Sequence, residues 1–216
     1  MPAITAHARA PKQGRSRQSF ERILEGTIDL LRERSYDQIT LAEICERSGV
    51  STGSLYGRVA GKDELLRAVQ VLVLERMTGQ FDAEAARIAA EARGLAQVVP
   101  AVVASLGNIL KDNASVLRSF MLRSATDEAI EAAGRKGAND NHAKFIALIK
   151  ACGQEIRHPQ PDRAINSGMM LIYATQARFL GLDSIGGLSE AGKWNQLLED
   201  LSDMMLAFLV FTPPKR

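Results

Sequence analysis

Apolar residues recur at three- and four-residue steps along most of this chain, and each such stretch predicts an amphipathic helix. From about Gln18 to Arg34, Phe20, Ile23, Leu24, Thr27, Ile28 and Leu31 trace one stripe, while Glu21, Arg22, Glu25, Asp29, Arg32 and Glu33 fill the other face. Ser35-Tyr36-Asp37 reads as the polar turn that ends it. Thr40 then stands three residues before Glu43. That is capping-box spacing, in which the hydroxyl satisfies one free backbone N–H and the carboxylate another. A short helix is therefore expected from Leu41, burying Leu41, Ile44 and Cys45. Gly49 is expected to end it, because glycine takes the left-handed conformation readily. Ser51 is a good N-cap for a second short helix from Thr52 to about Val59. Gly61 marks a break, and a longer helix is expected from Lys62, with Asp63 and Glu64 favoured in its first turn by the helix dipole. Leu65, Leu66, Val69, Leu72 and Val73 form its inward stripe.

Beyond residue 80 the pattern predicts helices at roughly 81–93, 95–111, 114–123, 127–151, 160–181 and 190–210. The polar, glycine-containing stretch from Gly134 to Asn141 predicts a bend, and Gly181 to Gly187 a loop. No alternating stretch is long enough for a sheet, so the fold class is all-α. The last two helices each carry an apolar stripe: Ile165, Gly168, Met169, Ile172, Thr175 and Phe179 in one, Trp194, Leu197, Leu198, Leu201, Met205 and Phe208 in the other.

Composition agrees. In 216 residues, 46% are hydrophobic, enough for a sizeable core, and only 5% are aromatic while Ala and Leu abound, which favours helix-on-helix packing. The net charge of +2 excludes little. Its distribution is more telling: residues 1–19 hold Arg9, Lys12, Arg15 and Arg17 and no acid, a flexible basic arm over 1–17 suited to a phosphate backbone. Cys45 and Cys152 lie far apart with no Cys or His at metal spacing, so no disulfide framework or metal site is expected. With no secretory signal and no uncharged run of ~18 residues, a cytoplasmic protein without membrane association is expected.

Two short helices joined by a glycine turn and braced by a preceding helix make the arrangement that sets a recognition helix in the DNA major groove. Here Ile44 and Val50 flank the turn, Cys45 supplies a small buried side chain and Leu55 anchors the second helix. Thr52, Gly53, Ser54, Tyr56, Gly57 and Arg58 are left to face DNA.

The run Thr40-Leu-Ala-Glu-Ile-Cys-Glu-Arg-Ser-Gly-Val-Ser-Thr-Gly-Ser-Leu-Tyr56, followed by Lys62-Asp-Glu-Leu-Leu66, resembles the N-terminal signature of the tetracycline-repressor (TetR) family, over about residues 18–66. The resemblance implies a three-helix helix-turn-helix DNA-binding domain over 18–64 and a helical effector-binding and dimerisation domain over 65–216. It implies phosphate contacts for Tyr56, Lys62 and Thr40, and base-facing positions at Thr52, Gly53 and Ser54. Ser51, Gly57, Arg58, Arg15 and Arg17 complete the expected DNA-binding set. The chain departs from the family's Tyr-x-Tyr-Phe pattern with Gly57, Arg58 and Val59; valine still fills the apolar slot, and Arg58 suits phosphate or the O6/N7 edge of guanine. The partners implied are a palindromic duplex operator, a second copy of the chain meeting it through residues 160–210, and a small, largely apolar effector. Met77, Phe81, Phe120, Arg123, His142, Phe145 and Tyr173 are the expected effector residues, with Leu106, Leu110, Met121 and Arg118 nearby in the same reckoning. Binding of that effector is expected to shift the helix beginning at Lys62 and to release a repressor from its operator; an activator, or a constitutive DNA binder without effector, uses the same motif.

Enzyme chemistry is the weaker class, and no cofactor is expected. Gly57-Arg-Val-Ala-Gly-Lys62-Asp63 has three residues between its glycines instead of four, lacks Ser or Thr after Lys and follows a helix. His7, His142 and His158 are dispersed, no Ser/His/Asp set assembles, and pairs such as Glu43 and Glu46 sit on solvated faces.

Overall fold

The computed structural model describes residues 12–182 and 193–212, with side chains from Ser16 onward. Among them are eight α-helices and no strand: α1 (Lys12–Glu33), α2 (Leu41–Ser48), α3 (Thr52–Tyr56), α4 (Lys62–Glu91), α5 (Leu95–Ser124), α6 (Glu128–Ala151), α7 (Pro161–Phe179) and α8 (Trp194–Val210). The chain divides into two compact units, Met1–Val69 and Gln70–Arg216. The division falls inside α4, five residues beyond the expected one.

In the first unit α1 begins at Lys12 instead of Gln18, so residues 12–17 of the expected arm are helical, while its residues 1–11 lie outside the described residues. Ile23, Leu24, Thr27, Ile28 and Leu31 are buried as the periodicity requires. Where α1 crosses α2, a Cβ on Gly26 would stand 3.3 Å from both Cβ and N of Ser48, so this crossing is close enough to favour glycine. Arg47 of α2 reaches back to the Glu33 carboxylate with two N–H donors, at 2.8 and 3.1 Å. Tyr36, expected in a polar turn, is buried. It begins a single 3-10 turn, and its hydroxyl donates to the backbone carbonyl of Lys62.

In the second unit the helices are longer than their sequence punctuation. The breaks expected near residue 80 and near 112 do not occur: α4 and α5 each run 30 residues. The polar run Lys111-Asp112-Asn113 marks only the outer side of a turn, and the Asn113 amide donates to Ile109 O at 2.8 Å. The bend expected over 134–141 is also absent. Asp127 caps α6 by accepting from the N–H groups of Ala129 and Ile130, and the helix continues unbroken to Ala151.

α5 packs on α6, α7 and α8, and these last two on each other. A Cβ on Gly107 of α5 would come within 2.8 Å of Gln176 Nε2 and Leu198 Cδ2, and one on Gly168 of α7 would collide with Met205 Sδ. Ile165, Gly168, Met169 and Ile172 are buried, as are Trp194, Leu198, Leu201 and Met205. These two stripes are thus core of their own unit. Thr175 is exposed and bonds to Leu171 O. The apolar side chains left in solvent on these helices include Met170, Leu171 and Met204, each more than half exposed. No helix among the described residues is long and apolar enough to cross a membrane.

Candidate nucleic-acid interface and interior cavity

The first candidate site is built from the caps inward. Thr40 is extended, its Oγ accepts from the N–H of Glu43 at 3.2 Å, and Glu43 Oε2 accepts from the N–H of Thr40 at 2.8 Å. Both halves of the box therefore form. Arg34 also binds the Glu43 carboxylate at 2.8 Å, and with the Thr40 backbone N–H as the largest influence the Glu43 carboxyl is held below its usual range. Gly49 closes α2 at φ +63, the left-handed region where a Cβ is strained. Ser51 then caps α3, accepting from Ser54 N–H at 3.3 Å.

α3 ends at Tyr56, not at Val59. Leu55 is fully buried and Val59 nearly so, and they hold the segment to the unit. Ser51, Thr52, Gly53, Ser54, Tyr56, Gly57 and Arg58 are all exposed. Tyr56 leaves 55% of its surface in solvent. Nothing stands within 4 Å of a Cβ on Gly53. The Arg58 guanidinium lies over the Phe20 ring at 5.8 Å. Ser16, Ser19, Phe20 and Ile23 of α1 line a shallow recess with Ser54, Gly57 and Arg58.

Lys62, half-buried at the start of α4, holds its ammonium 4.5 Å from the Tyr36 ring centre, with Asp37 O at 3.5 Å. Tyr36 is the residue here that sequence reasoning missed; its place four residues ahead of the Thr40 cap was the available signal. The remaining expected residues differ in state. The Thr40 hydroxyl is engaged by Glu43 Oε2 at 2.8 Å. Arg17 lies on α1 and pairs with Glu21 at 3.0 Å. The Arg15 side chain lies outside the described residues.

The second candidate site lies wholly within residues 70–216. It is a cavity of about 270 Å³ whose wall includes Met77, Phe81, Phe120, His142 and Tyr173. Two of the expected effector residues stand elsewhere: Phe145 is fully buried behind the wall, tilted on Phe81 at 5.3 Å, and Arg123 is not on the lining. Leu110 and Met121 line it too, whereas Arg118 binds the carbonyls of Leu180 and Gly181 beyond the end of α7. Residues not expected there are Gln70, whose amide donates to Ile130 O at 2.9 Å, and Asn141. Gly134, Gly137 and Ala138 give α6 a wall of little bulk; the small residues that looked like a bend make room. His142 and Tyr173 meet edge-on at 5.0 Å, and burial pushes the imidazole pKa down and the phenol pKa up.

A reciprocal cap, a left-handed glycine and an exposed second helix define the helix-turn-helix class. Residues 23–69 match the family model described as "Bacterial regulatory proteins, tetR family". That segment is similar to the DNA-binding region of the TetR family of bacterial regulatory proteins. It is 29% identical over 121 residues to an HTH-type transcriptional regulator of Mycobacterium tuberculosis, an alignment that spans 56% of this chain and 60% of that relative. Among solved structures, a TetR-family transcriptional regulator from Mesorhizobium loti superposes with TM-score 0.67 at 17% identity, covering 90% of this chain and 96% of that one. A transcriptional regulator from Saccharomonospora viridis in complex with choline gives 0.66 at 16% identity, covering 88% and 96%. At such identities these two share the fold.

Proposed function

We propose that the chain is a sequence-specific, DNA-binding transcriptional regulator, a repressor that leaves its operator when a small, largely apolar effector occupies the cavity of the second unit. The observation that carries the DNA half is the division of α3: Leu55 is sealed inside while the flanking side chains from Thr52 to Arg58 stand in solvent. Thr52 and Ser54 face bases, Arg58 is placed for guanine or phosphate, and Tyr56 and Lys62 hold the backbone. Thr40 reaches phosphate only by releasing Glu43, so capping is its first role.

One helix serves both sites. α4 starts at Lys62 and carries Gln70, Met77 and Phe81 onto the cavity wall further along. An effector that prefers one position of α4 shifts the population toward it, and only by its difference in affinity for the two states. That a regulator of this fold is found in complex with choline supports a small-molecule ligand for this chain. Two-fold operators require a two-fold protein, and Met170, Leu171 and Met204 offer α7 and α8 an unpaired apolar surface for a second copy.

Selection of bound duplexes from a random pool tests this. The expected product is an inverted repeat whose half-sites are about one helical turn apart or a multiple of it, ~34–36 Å per turn. Recovery of no enriched sequence would refute the assignment.

A further inference from the structure

We infer that the cavity takes an uncharged, mainly apolar molecule bearing one hydroxyl or N–H group, which it donates to Oδ1 of Asn141. This rests on reading the cavity as the effector site. Asn141 is 3% exposed, belongs to α6 and lines the cavity. Its amide is tethered on one side, where Nδ2 donates to Thr78 Oγ at 3.5 Å. Oδ1 is buried and has no hydrogen-bond partner in the protein. Buried polar atoms without partners are rare, and each calls for a specific explanation. Among the described residues the other such oxygen is Oε1 of Gln176, which is not on this lining. Because Asn141 lines the cavity and Gln176 does not, a small turn of the Asn141 amide brings its Oδ1 to a ligand, and no such turn serves Gln176.

The rest of the wall selects against charge. Leu74, Met77, Phe81, Leu110, Phe120 and Ile130 offer only apolar surface. Desolvation favours the neutral imidazole of His142 and the protonated phenol of Tyr173. The charged lining side chains, Glu131 and Arg135, bind each other at 3.0 Å and are about half exposed. An ion entering this wall gives up its hydration without meeting an unpaired opposite charge. The volume of about 270 Å³ lies just below the usual range for small-molecule pockets, roughly 300–1,000 Å³. One ring with a short chain fills it.

Calorimetry on the full chain with four matched probes tests the inference: 4-butylphenol, 4-butylanisole, 4-butylbenzoate and (4-butylphenyl)trimethylammonium. The phenol is expected to bind roughly tenfold more tightly than the anisole, which cannot donate, and more tightly than either ion. Asn141→Leu, close in volume but without an acceptor, is expected to bring phenol and anisole within about twofold. Ala138→Phe, which fills the space, weakens both. Should circular dichroism show Asn141→Leu misfolded, the wild-type ratio of phenol to anisole decides by itself. An anisole that matches the phenol, an ion that binds best, or no binding of any probe below about 1 mM overturns the inference. The effector reading fails separately, if the phenol binds with this selectivity and leaves affinity for the selected duplex unchanged.

Discussion

Replacing Thr40 with valine removes one oxygen from the helix-turn-helix and leaves the side chain's shape. That oxygen accepts the N–H of Glu43 and donates to Glu43 Oε2. Glu43 keeps the Thr40 backbone N–H and Arg34, both at 2.8 Å, so the loss is one cap, not the whole network. An N-cap of this kind is worth about 1 kcal/mol, or about fivefold in an opening equilibrium. α2 has only eight residues, too few to be stable by local bonding alone. The cost should therefore appear as local opening. Hydrogen exchange over Ile44–Ser48, read by mass spectrometry, should run about fivefold faster in Thr40→Val and at the wild-type rate in Thr40→Ser. Equal rates for valine and wild type would refute the reasoning, because the hydroxyl would then not hold the helix.

Lys62→Ala should weaken binding to every duplex and flatten the salt dependence by about one counterion, while Lys62→Arg restores the slope; an unchanged slope in the alanine variant contradicts the phosphate role. His142 has a folded-state pKa below 6.5 because burial disfavours its charged form. Its contribution to stability is complete above 6.5 and is lost as the pH falls below it, since the unfolded chain then binds the extra proton. Urea midpoints should drop more between about pH 7.5 and 5.5 in wild type than in His142→Gln; equal drops count against the buried neutral ring. Met204→Asp adds charge at a position that is 65% exposed. It should leave thermal stability of the single chain nearly unchanged and, on the proposed pairing through α7 and α8, shift sedimentation from dimer to monomer; a wild-type chain that sediments as a monomer contradicts that pairing.

Local chemistry was the most legible part of this chain. Thr40, Glu43, Gly49 and Ser51 each specify a backbone bond or dihedral within four residues, so the two short helices and their turn follow from the order of residues alone. Helix continuity was less legible. The polar run at 111–113 resembles a break, yet α5 continues through it with Asn113 bonding back to Ile109 O and buried Ile109, Leu110, Val116 and Leu117 on its other side, so burial of that face overrides weak local preference. The apolar stripes of α7 and α8 showed that those faces are buried, but periodicity does not say against what; they lie within their own unit, and the apolar side chains left exposed include Met170, Leu171 and Met204. For the cavity, aromatic and sulfur side chains pointed to Met77, Phe81, Phe120, Met121 and Tyr173 on its lining. Asn141 and the small-residue wall of α6 escaped because their meaning comes from residues distant in sequence, such as Thr78 and Gln70.

The most direct test of the central claim is titration of a labelled random-sequence duplex at about 50 mM salt with wild-type chain and with Ser54→Glu, which sets a negative charge on the exposed side of α3. Wild type should bind with a dissociation constant of roughly 10⁻⁴–10⁻⁶ M or tighter, and the variant, at unchanged helix content, should bind at least roughly tenfold more weakly. Equal binding by the two proteins, or binding by neither, would contradict the account.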